Sequence, residues 1–130
     1  MQTASFWSFR GPGRIAISRS VPKDLPIGYH LFRELAPGPW FQDVDYDRYL
    51  HLYRTTILDR LDPQETWGRL HMLADGAEPV LLCYERAPLN PPAHYCHRRM
   101  VADWFRETLG HDVPEMMPGK PSSASMPRLF

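Results

Sequence analysis

Apolar side chains recur at helical spacing in three segments of the sequence. Between about residues 45 and 60 they follow an amphipathic-helix repeat, at Tyr46, Tyr49, Leu50, Tyr53, Ile57 and Leu61. The run Asp62-Pro63-Gln64-Glu65 then combines an N-cap residue with a proline at the first helical position, which predicts a second helix that stops at Gly76. A third helix is predicted over residues 97–109, with an apolar side made of Met100, Val101, Trp104, Phe105 and Leu109.

A different pattern, an almost continuous apolar run (PVLLCY), occupies residues 79–84. Such a run is typical of a central strand that is buried on both faces, as in parallel sheets. Shorter strands are predicted over residues 5–9 and 14–18, and residues 29–35 form a further extended segment. The pattern therefore predicts one compact α/β domain over residues 1–115, with a small, mostly parallel sheet flanked by helices. The Pro-, Gly-, Ser- and Met-rich residues 116–130 are expected to form a flexible C-terminal tail.

Composition and charge narrow the classes of function. The chain has 130 residues, which suits a single domain, and its 15 basic and 15 acidic residues cancel. Without net charge, no field of the whole chain attracts nucleic acid or an anionic membrane. No apolar run approaches the ~20 residues of a membrane span, and the N-terminus lacks a signal-peptide pattern. Two cysteines do not indicate a disulfide framework, so we expect a cytoplasmic protein in a reducing setting.

The predicted strand ends gather polar residues. In open α/β sheets, ligands bind beyond the carboxyl ends of the strands. Ser18 and Arg19 follow one predicted strand, while Cys83 and Glu85 end another. This rule brings them together near the start of the helix that follows Cys96, and it predicts a site there.

Three of these residues are candidates for catalysis. Cys96 precedes a helix, whose free N–H groups and dipole favour a thiolate, so it is a candidate nucleophile or a structural thiol at the cap. Cys83 lies in an apolar run, where core packing is the alternative to reactivity. Glu85 is a candidate general base or ligand-orienting group, and a solvated strand-end carboxylate is the competing interpretation.

Basic residues at the start of the last helix suggest an anion. Arg98 and Arg99 oppose the helix dipole there, at a cost of up to about 1 kcal/mol. A phosphate or carboxylate ligand held by an arginine would offset this cost, and so would an acidic side chain of the protein itself. The candidate ligand-binding residues are Ser18, Arg19, His97 and Arg98.

Metal binding and a disulfide are further possibilities for the sulfurs. The two cysteines lack the short paired spacing of structural zinc sites, so we assign no metal ligands, and a zinc site would have to be assembled by the fold. The sequence does not indicate which cofactor, if any, the protein uses. If Cys83 and Cys96 converge, a disulfide between them would be a redox event. Aromatic residues beside loops, such as Trp7 and Phe41, either fill the core or stack on a ring of a ligand.

The run VLLCYE followed by CHRRMVADWF, together with FRGPGRIAISRSVP and ELAPGPWF, resembles the DUF488 family over roughly residues 3–115. The resemblance implies a compact α/β domain with its characteristic residues at one end of the sheet. Here these are Cys83, Glu85, Cys96, His97 and Arg98, with Ser18, Arg19 and Pro22 in the loop after the first strand. Longer members have Asp-Val-Arg where this chain has Ile17-Ser18-Arg19, so a role tied to that acidic residue is missing. The family name supplies no activity.

The leading hypothesis is a small enzyme whose Cys/Glu/His/Arg site binds an anionic ligand, such as a nucleotide or another phosphate-bearing molecule. The alternative is a non-catalytic module that binds nucleic acid or protein, although the neutral charge argues against tight, sequence-independent binding of nucleic acid. A third hypothesis is a structural cap in which Cys96, His97 and Arg98 hold the helix start. No membrane partner is expected, and the oligomeric state stays open.

Overall fold

Four short parallel strands form a single sheet in the computed structural model, which describes residues 1–117. They are β1 (Gln2–Ser5), β2 (Arg14–Ala16), β3 (His30–Leu31) and β4 (Val80–Cys83), in the spatial order β1-β4-β2-β3. The helices are α1 (Tyr46–Thr56), α2 (Pro63–Ala74) and α3 (His97–Leu109), with shorter 3₁₀ turns at Arg33–Leu35, Pro39–Gln42 and Leu58–Arg60. The predicted α/β class with a mostly parallel sheet is confirmed.

The two central strands, β2 and β4, are buried along their whole length. Because side chains alternate across a strand, each strand contributes to two cores. Ile15 and Leu81 pack with the apolar residues of the helices. Ala4 and Leu82 face the other way, into a second core that loop residues such as Phe6 complete. All three helices thus cover one face of the sheet, and loops cover the opposite face.

A glycine allows β2 to begin close beside β4. Gly13 has a φ of 86°, and a Cβ atom there would collide with the carbonyl group of Glu78. This close approach lets the backbone N–H of Val80 donate to the Gly13 carbonyl at 2.9 Å. The sheet therefore starts at a position that only glycine occupies without strain.

Capping residues explain where α1 and α2 begin. Asp45 accepts a hydrogen bond from the Arg48 N–H at 2.9 Å, and Asp62 accepts one from the Glu65 N–H at 2.8 Å. Pro63 stands at the first position of α2, as predicted. At its end, Asp75 already adopts the left-handed conformation, one residue before the expected Gly76. α1 ends at Thr56, earlier than predicted, because the chain tightens into the 3₁₀ turn that follows.

Two features differ from the predicted pattern at the edges of the sheet. The first strand is Gln2–Ser5 rather than 5–9, because Thr3 and Ala4 pair with Leu81 and Leu82 of β4 while the following residues turn. The predicted extended segment 29–35 contains only the two-residue β3, since the chain then coils into a 3₁₀ turn. The edge strands β1 and β3 contain too few apolar residues for an alternating strand pattern to be recognised in the sequence.

The end of the described chain adds a further parallel bridge to β1. The Thr3 N–H donates to the Pro114 carbonyl at 3.0 Å, and the Met116 N–H donates to the Thr3 carbonyl at 2.7 Å. Met116, the first residue of the predicted tail, is buried in the second core. Most of the predicted tail, residues 118–130, lies outside the described residues.

Each helix within residues 1–117 is too short or too polar to cross a bilayer.

Candidate functional site

A cleft of about 550 Å³ opens at the carboxyl ends of β2 and β4, beside the start of α3. The strand-end rule predicts a site at this position. Five of the seven predicted site residues line the cleft: Ser18, Arg19, Cys83, Glu85 and His97. Cys96 and Arg98 lie behind its wall, buried in the protein. The cleft thus brings together a sulfur, a carboxylate, a guanidinium and an imidazole.

The sulfur atoms of Cys83 and Cys96 are joined in a disulfide. Both side chains are almost fully buried, at 1% and 3% exposure, and only Cys83 contributes to the cleft wall. The sequence predicts a disulfide between these cysteines only if the fold brings them together, and the fold does so. A thiolate at either position forms only after reduction, because a disulfide sulfur carries no ionisable proton.

His97 presents one ring nitrogen to the sulfurs. Its Nε2 lies 2.7 Å from the Ile17 carbonyl oxygen, and since a carbonyl only accepts, Nε2 carries the proton and donates. Nδ1 then faces Cys96 Sγ at 3.7 Å. Burial lowers the pKa of His97 to about 4, so the ring is neutral near pH 7. A neutral ring with a lone pair on Nδ1 is chemically suited to bind a metal ion, whereas the lowered pKa makes it a weak proton acceptor.

Arg98 does not reach the cleft, so its predicted role as an anion clamp needs correction. The guanidinium is fully buried and makes a bidentate ion pair, with Nε 2.9 Å from Glu115 Oε1 and Nη2 2.6 Å from Oε2. Its Nη1 donates to Cys83 Sγ at 3.3 Å. The alternative, an acidic side chain of the protein, therefore describes Arg98 better. The partner is Glu115, which the bridge to β1 carries to the helix.

Arg99 is likewise satisfied inside the protein. Its Nη1 donates to Thr3 Oγ1 at 2.9 Å and to the Val113 carbonyl at 2.6 Å. The Thr3 hydroxyl in turn donates to Glu115 at 2.7 Å. We call Thr3, Arg98, Arg99 and Glu115 the buried ion-pair cluster. Glu115 thus pairs with the Arg98 charge, and neutral oxygen atoms accept from Arg99, so both guanidinium groups have partners within the protein.

Arg19 and Glu85, by contrast, are exposed on the cleft. Arg19 Nη1 donates to the Pro37 carbonyl at 3.0 Å, and its guanidinium lies 5.7 Å from the centre of the Phe41 ring. Neither Arg19 nor Glu85 forms an ion pair with any residue in the described range 1–117. Ser18 is held behind them, donating through Oγ to the Ser20 carbonyl.

Aromatic rings complete the wall of the cleft. Tyr49 and Tyr95 meet edge to face with ring centres 5.2 Å apart, and Phe41 and Tyr84 also line the cleft. Burial and, secondly, the Glu85 carboxylate raise the pKa of Tyr49, which keeps its hydroxyl protonated. Sequence reasoning placed Tyr49 on the inner side of a helix and did not single out Tyr95. Only the position of Tyr95 directly before Cys96 could have drawn attention to it.

Comparison with known proteins supplies a family but no activity. A family model, described as "Domain of unknown function DUF488", matches residues 16–105, more than half of the chain. The matched span contains every residue that lines the cleft, whereas β1 and Glu115 lie outside it. No curated protein and no solved structure matches the chain.

Proposed function

Because the chain belongs to the DUF488 family, for which no activity is defined, we propose its function from the cleft: a small, thiol-dependent enzyme that binds a nucleotide or another phosphate-bearing molecule. One observation carries this proposal. Cys83 and Glu85, at the end of β4, line the same cleft as Arg19, which follows β2. Nucleophile, general base and anion-binding cation are the groups that such a reaction needs.

Arg19 is the group proposed to bind the anion. A guanidinium is planar and donates two parallel hydrogen bonds to a phosphate or carboxylate. The bond to the Pro37 carbonyl and the contact with Phe41 restrict the side chain before any ligand arrives. Since less conformational entropy is then lost on binding, this support favours affinity.

The aromatic wall is proposed to hold a ring of the ligand. The volume of about 550 Å³ falls within the range of about 300–1,000 Å³ that is common for small-molecule sites. Stacking of a base on an aromatic side chain contributes about 1–3 kcal/mol. Phe41, Tyr49 and Tyr95 present rings on the side of the cleft that adjoins Arg19 and Glu85. A ligand with both a ring and a phosphate group uses both features.

The chemical step is proposed to start from reduced Cys83. The Arg98 Nη1 that lies 3.3 Å from its sulfur favours the thiolate over the thiol. The thiolate forms a bond to an electrophilic atom of the ligand while the bond from that atom to its leaving group breaks. Glu85 then accepts a proton from the water that cleaves the new bond, which releases the product and restores the Cys83 thiolate. Such an enzyme needs a reducing compartment, which is why we propose a cytoplasmic location.

Ligand binding by the reduced protein tests the proposal. We expect inorganic phosphate and nucleoside mono-, di- and triphosphates to raise the melting temperature, and the uncharged nucleosides to have a smaller effect. Arg19→Ala should remove the part of the rise in melting temperature that depends on phosphate. Arg60→Ala, which changes an exposed arginine outside the cleft, should not. Equal shifts for Arg19→Ala and the parent protein would overturn the proposed site.

Turnover separates the enzyme from a binding protein. For any ligand that binds, product formation is followed with the reduced parent protein and with Cys83→Ser. We expect the serine variant to bind the ligand and to form no product, because a hydroxyl is a far weaker nucleophile than a thiolate. Full turnover by Cys83→Ser would exclude the covalent mechanism.

One observation favours the second candidate, a non-catalytic module for single-stranded nucleic acid. Trp7 is 38% exposed, the Arg86 guanidinium lies 4.3 Å from its ring centre, and Tyr84 of the cleft lies beside it at 6.1 Å. Exposed rings supported by arginine are suited to stack on bases. Salt-dependent binding of an oligonucleotide that Trp7→Ala abolishes, with no product from any ligand, would favour this function.

A further inference from the structure

We propose that the reduced protein binds a zinc ion through Cys83, Cys96 and His97, in the inner wall of the cleft. The potential ligand atoms of these three residues, two sulfurs and one ring nitrogen, all lie within 4.8 Å of one another. All three side chains are buried, so the ion would be shielded from bulk water on the protein side. This site goes beyond the proposed function and shares Cys83 with it, so zinc-bound Cys83 and nucleophilic Cys83 are alternative states of the reduced protein.

The spacing between Cys96 and His97 already matches a shared zinc ion. Zinc binds cysteine sulfur at about 2.3 Å and histidine nitrogen at about 2.0–2.1 Å, in tetrahedral geometry. These lengths separate the two ligand atoms by about 3.5 Å. Cys96 Sγ and His97 Nδ1 lie 3.7 Å apart. Little movement of the histidine ring is therefore needed.

The sulfur pair has to be reduced before the ion enters. A dithiol reductant transfers two electrons and two protons to the Cys83–Cys96 bond, which yields two thiols and the oxidised reductant. Zinc then displaces both thiol protons and binds the two thiolates, whose sulfurs move to about 3.8 Å apart. Two protons are released for each Zn²⁺ that binds, so the net charge of the site does not change. Zinc and disulfide are thus alternative states of the same pair.

The surroundings of the three ligands resemble those of a metal site. A histidine that binds a metal almost always donates its other N–H to a carbonyl or carboxylate, which fixes the ring. His97 does so through Nε2 to the Ile17 carbonyl at 2.7 Å. Arg98 donates to Cys83 Sγ at 3.3 Å, a hydrogen bond that stabilises a thiolate ligand. Neither contact is required by a disulfide.

The spacing of the two cysteines along the chain argued against zinc, and the fold changes that conclusion. Thirteen positions separate Cys83 from Cys96 along the chain. In space, however, the end of β4 lies beside the start of α3, so the two sulfurs meet. Three protein ligands leave one tetrahedral position for water or for an atom of the ligand, as in catalytic zinc sites. Because Cys83 and His97 both line the cleft, that position opens towards it.

Metal analysis of the full chain tests the site. The protein is purified without air in the presence of a reductant, its two thiols are counted, and zinc is measured by mass spectrometry. We expect about one zinc per chain, and a similar amount of Co²⁺ after exchange, with the near-ultraviolet absorption of cobalt bound to thiolates. Cys83→Ser and Cys96→Ser should each reduce the metal content to background, while His94→Gln, a histidine of the cleft away from the sulfurs, should retain it.

Several outcomes would overturn the site. A folded parent protein with two free thiols that takes up neither zinc nor cobalt would do so, and so would a disulfide that resists the reductant. If the variants fail to fold, the cobalt spectrum of the parent protein still reports whether thiolates bind the metal. The result is independent of the proposed enzyme, because zinc is counted without any organic ligand. Arg19→Ala should lose phosphate binding and keep its zinc.

Discussion

The cleft and the buried ion-pair cluster use the same residue types with opposite results. In the cluster, Arg98 is fully buried and Glu115 satisfies it with two hydrogen-bonded contacts. In the cleft, Arg19 and Glu85 are exposed and form no ion pair within residues 1–117. The difference teaches that the available partners, rather than the residue type, decide whether an arginine is held inside the fold or stays exposed at the cleft.

Position in the sheet explains the difference. The cluster lies between α3 and the β1 edge, where the bridge at Glu115 closes the sheet and supplies a carboxylate. The cleft lies beyond the strand ends, where no residue in the described range 1–117 forms an ion pair with Arg19 or Glu85. Changes in the cluster should therefore affect the free energy of unfolding, and changes in the cleft should affect binding. The predictions below follow in order of their expected effect on stability.

The largest effect is expected from Glu115→Leu. This change leaves the buried Arg98 guanidinium without its carboxylate, and breaking a buried pair in this way costs about 3–5 kcal/mol. Urea unfolding followed by circular dichroism measures the loss. Glu107→Leu, which breaks an exposed ion pair with Arg54, is the control and should change stability by less than about 1 kcal/mol. A similar small loss for both variants would contradict the importance of the cluster.

A smaller loss is expected from Thr3→Val. Valine keeps the shape of threonine but lacks the hydroxyl that accepts from Arg99 and donates to Glu115. Arg99 and Glu115 keep their other partners, so the loss should be that of ordinary hydrogen bonds, about 0.5–1.5 kcal/mol. Thr55→Val on the exposed side of α1 is the matched control, because its hydroxyl only bonds to the His51 carbonyl of its own helix. The two melting curves are compared directly, and coinciding curves would show that the Thr3 hydroxyl adds nothing.

The smallest effect on stability is expected from Glu85→Gln. An exposed side chain without an ion pair should change the free energy of unfolding by no more than about 0.5 kcal/mol. If Glu85 is the general base of the proposed enzyme, kcat falls by about 10²–10⁴-fold on the same change. Steady-state kinetics and urea unfolding on one protein preparation separate the two quantities. A stability loss as large as that of Glu115→Leu would erase the contrast between the two regions.

Local patterns predicted the helices and the central strand well. Asp62 and Pro63 specify the start of α2 through one hydrogen bond and one fixed backbone angle, so neighbouring residues suffice. β4 is predicted by its apolar run, since burial on both faces leaves no polar positions. β1 (QTAS) was missed because small and polar residues carry no strand pattern, and its pairing with β4 is decided by distant contacts.

The sequence predicted where the candidate site lies, but it did not predict which side chains face the cleft and which are buried behind it. The strand-end rule located Ser18, Arg19, Cys83 and Glu85 together, because topology alone fixes where strands end. Which way Arg98 points depends on the rotation of α3, where successive residues differ by about 100°. His97 therefore faces the cleft while its neighbour is directed at Glu115. The local sequence does not predict that Glu115 is this partner, because residues 114–116 are positioned by backbone hydrogen bonds to the distant strand β1.

The bridge between Thr3 and Glu115 joins the two ends of the described chain, and a series of contacts connects it to the sulfur of Cys83. Glu115 holds Arg98, and Arg98 touches Cys83, so three successive contacts of 3.3 Å or less run from the sheet edge to the cleft wall. The family match ends at residue 105. A protein trimmed to that limit would keep every side chain that lines the cleft, yet its guanidinium would lose the counter-ion that sets the charge around the sulfur. The set of residues in contact with this sulfur, directly or through Arg98, thus extends beyond the segment that the family model matches.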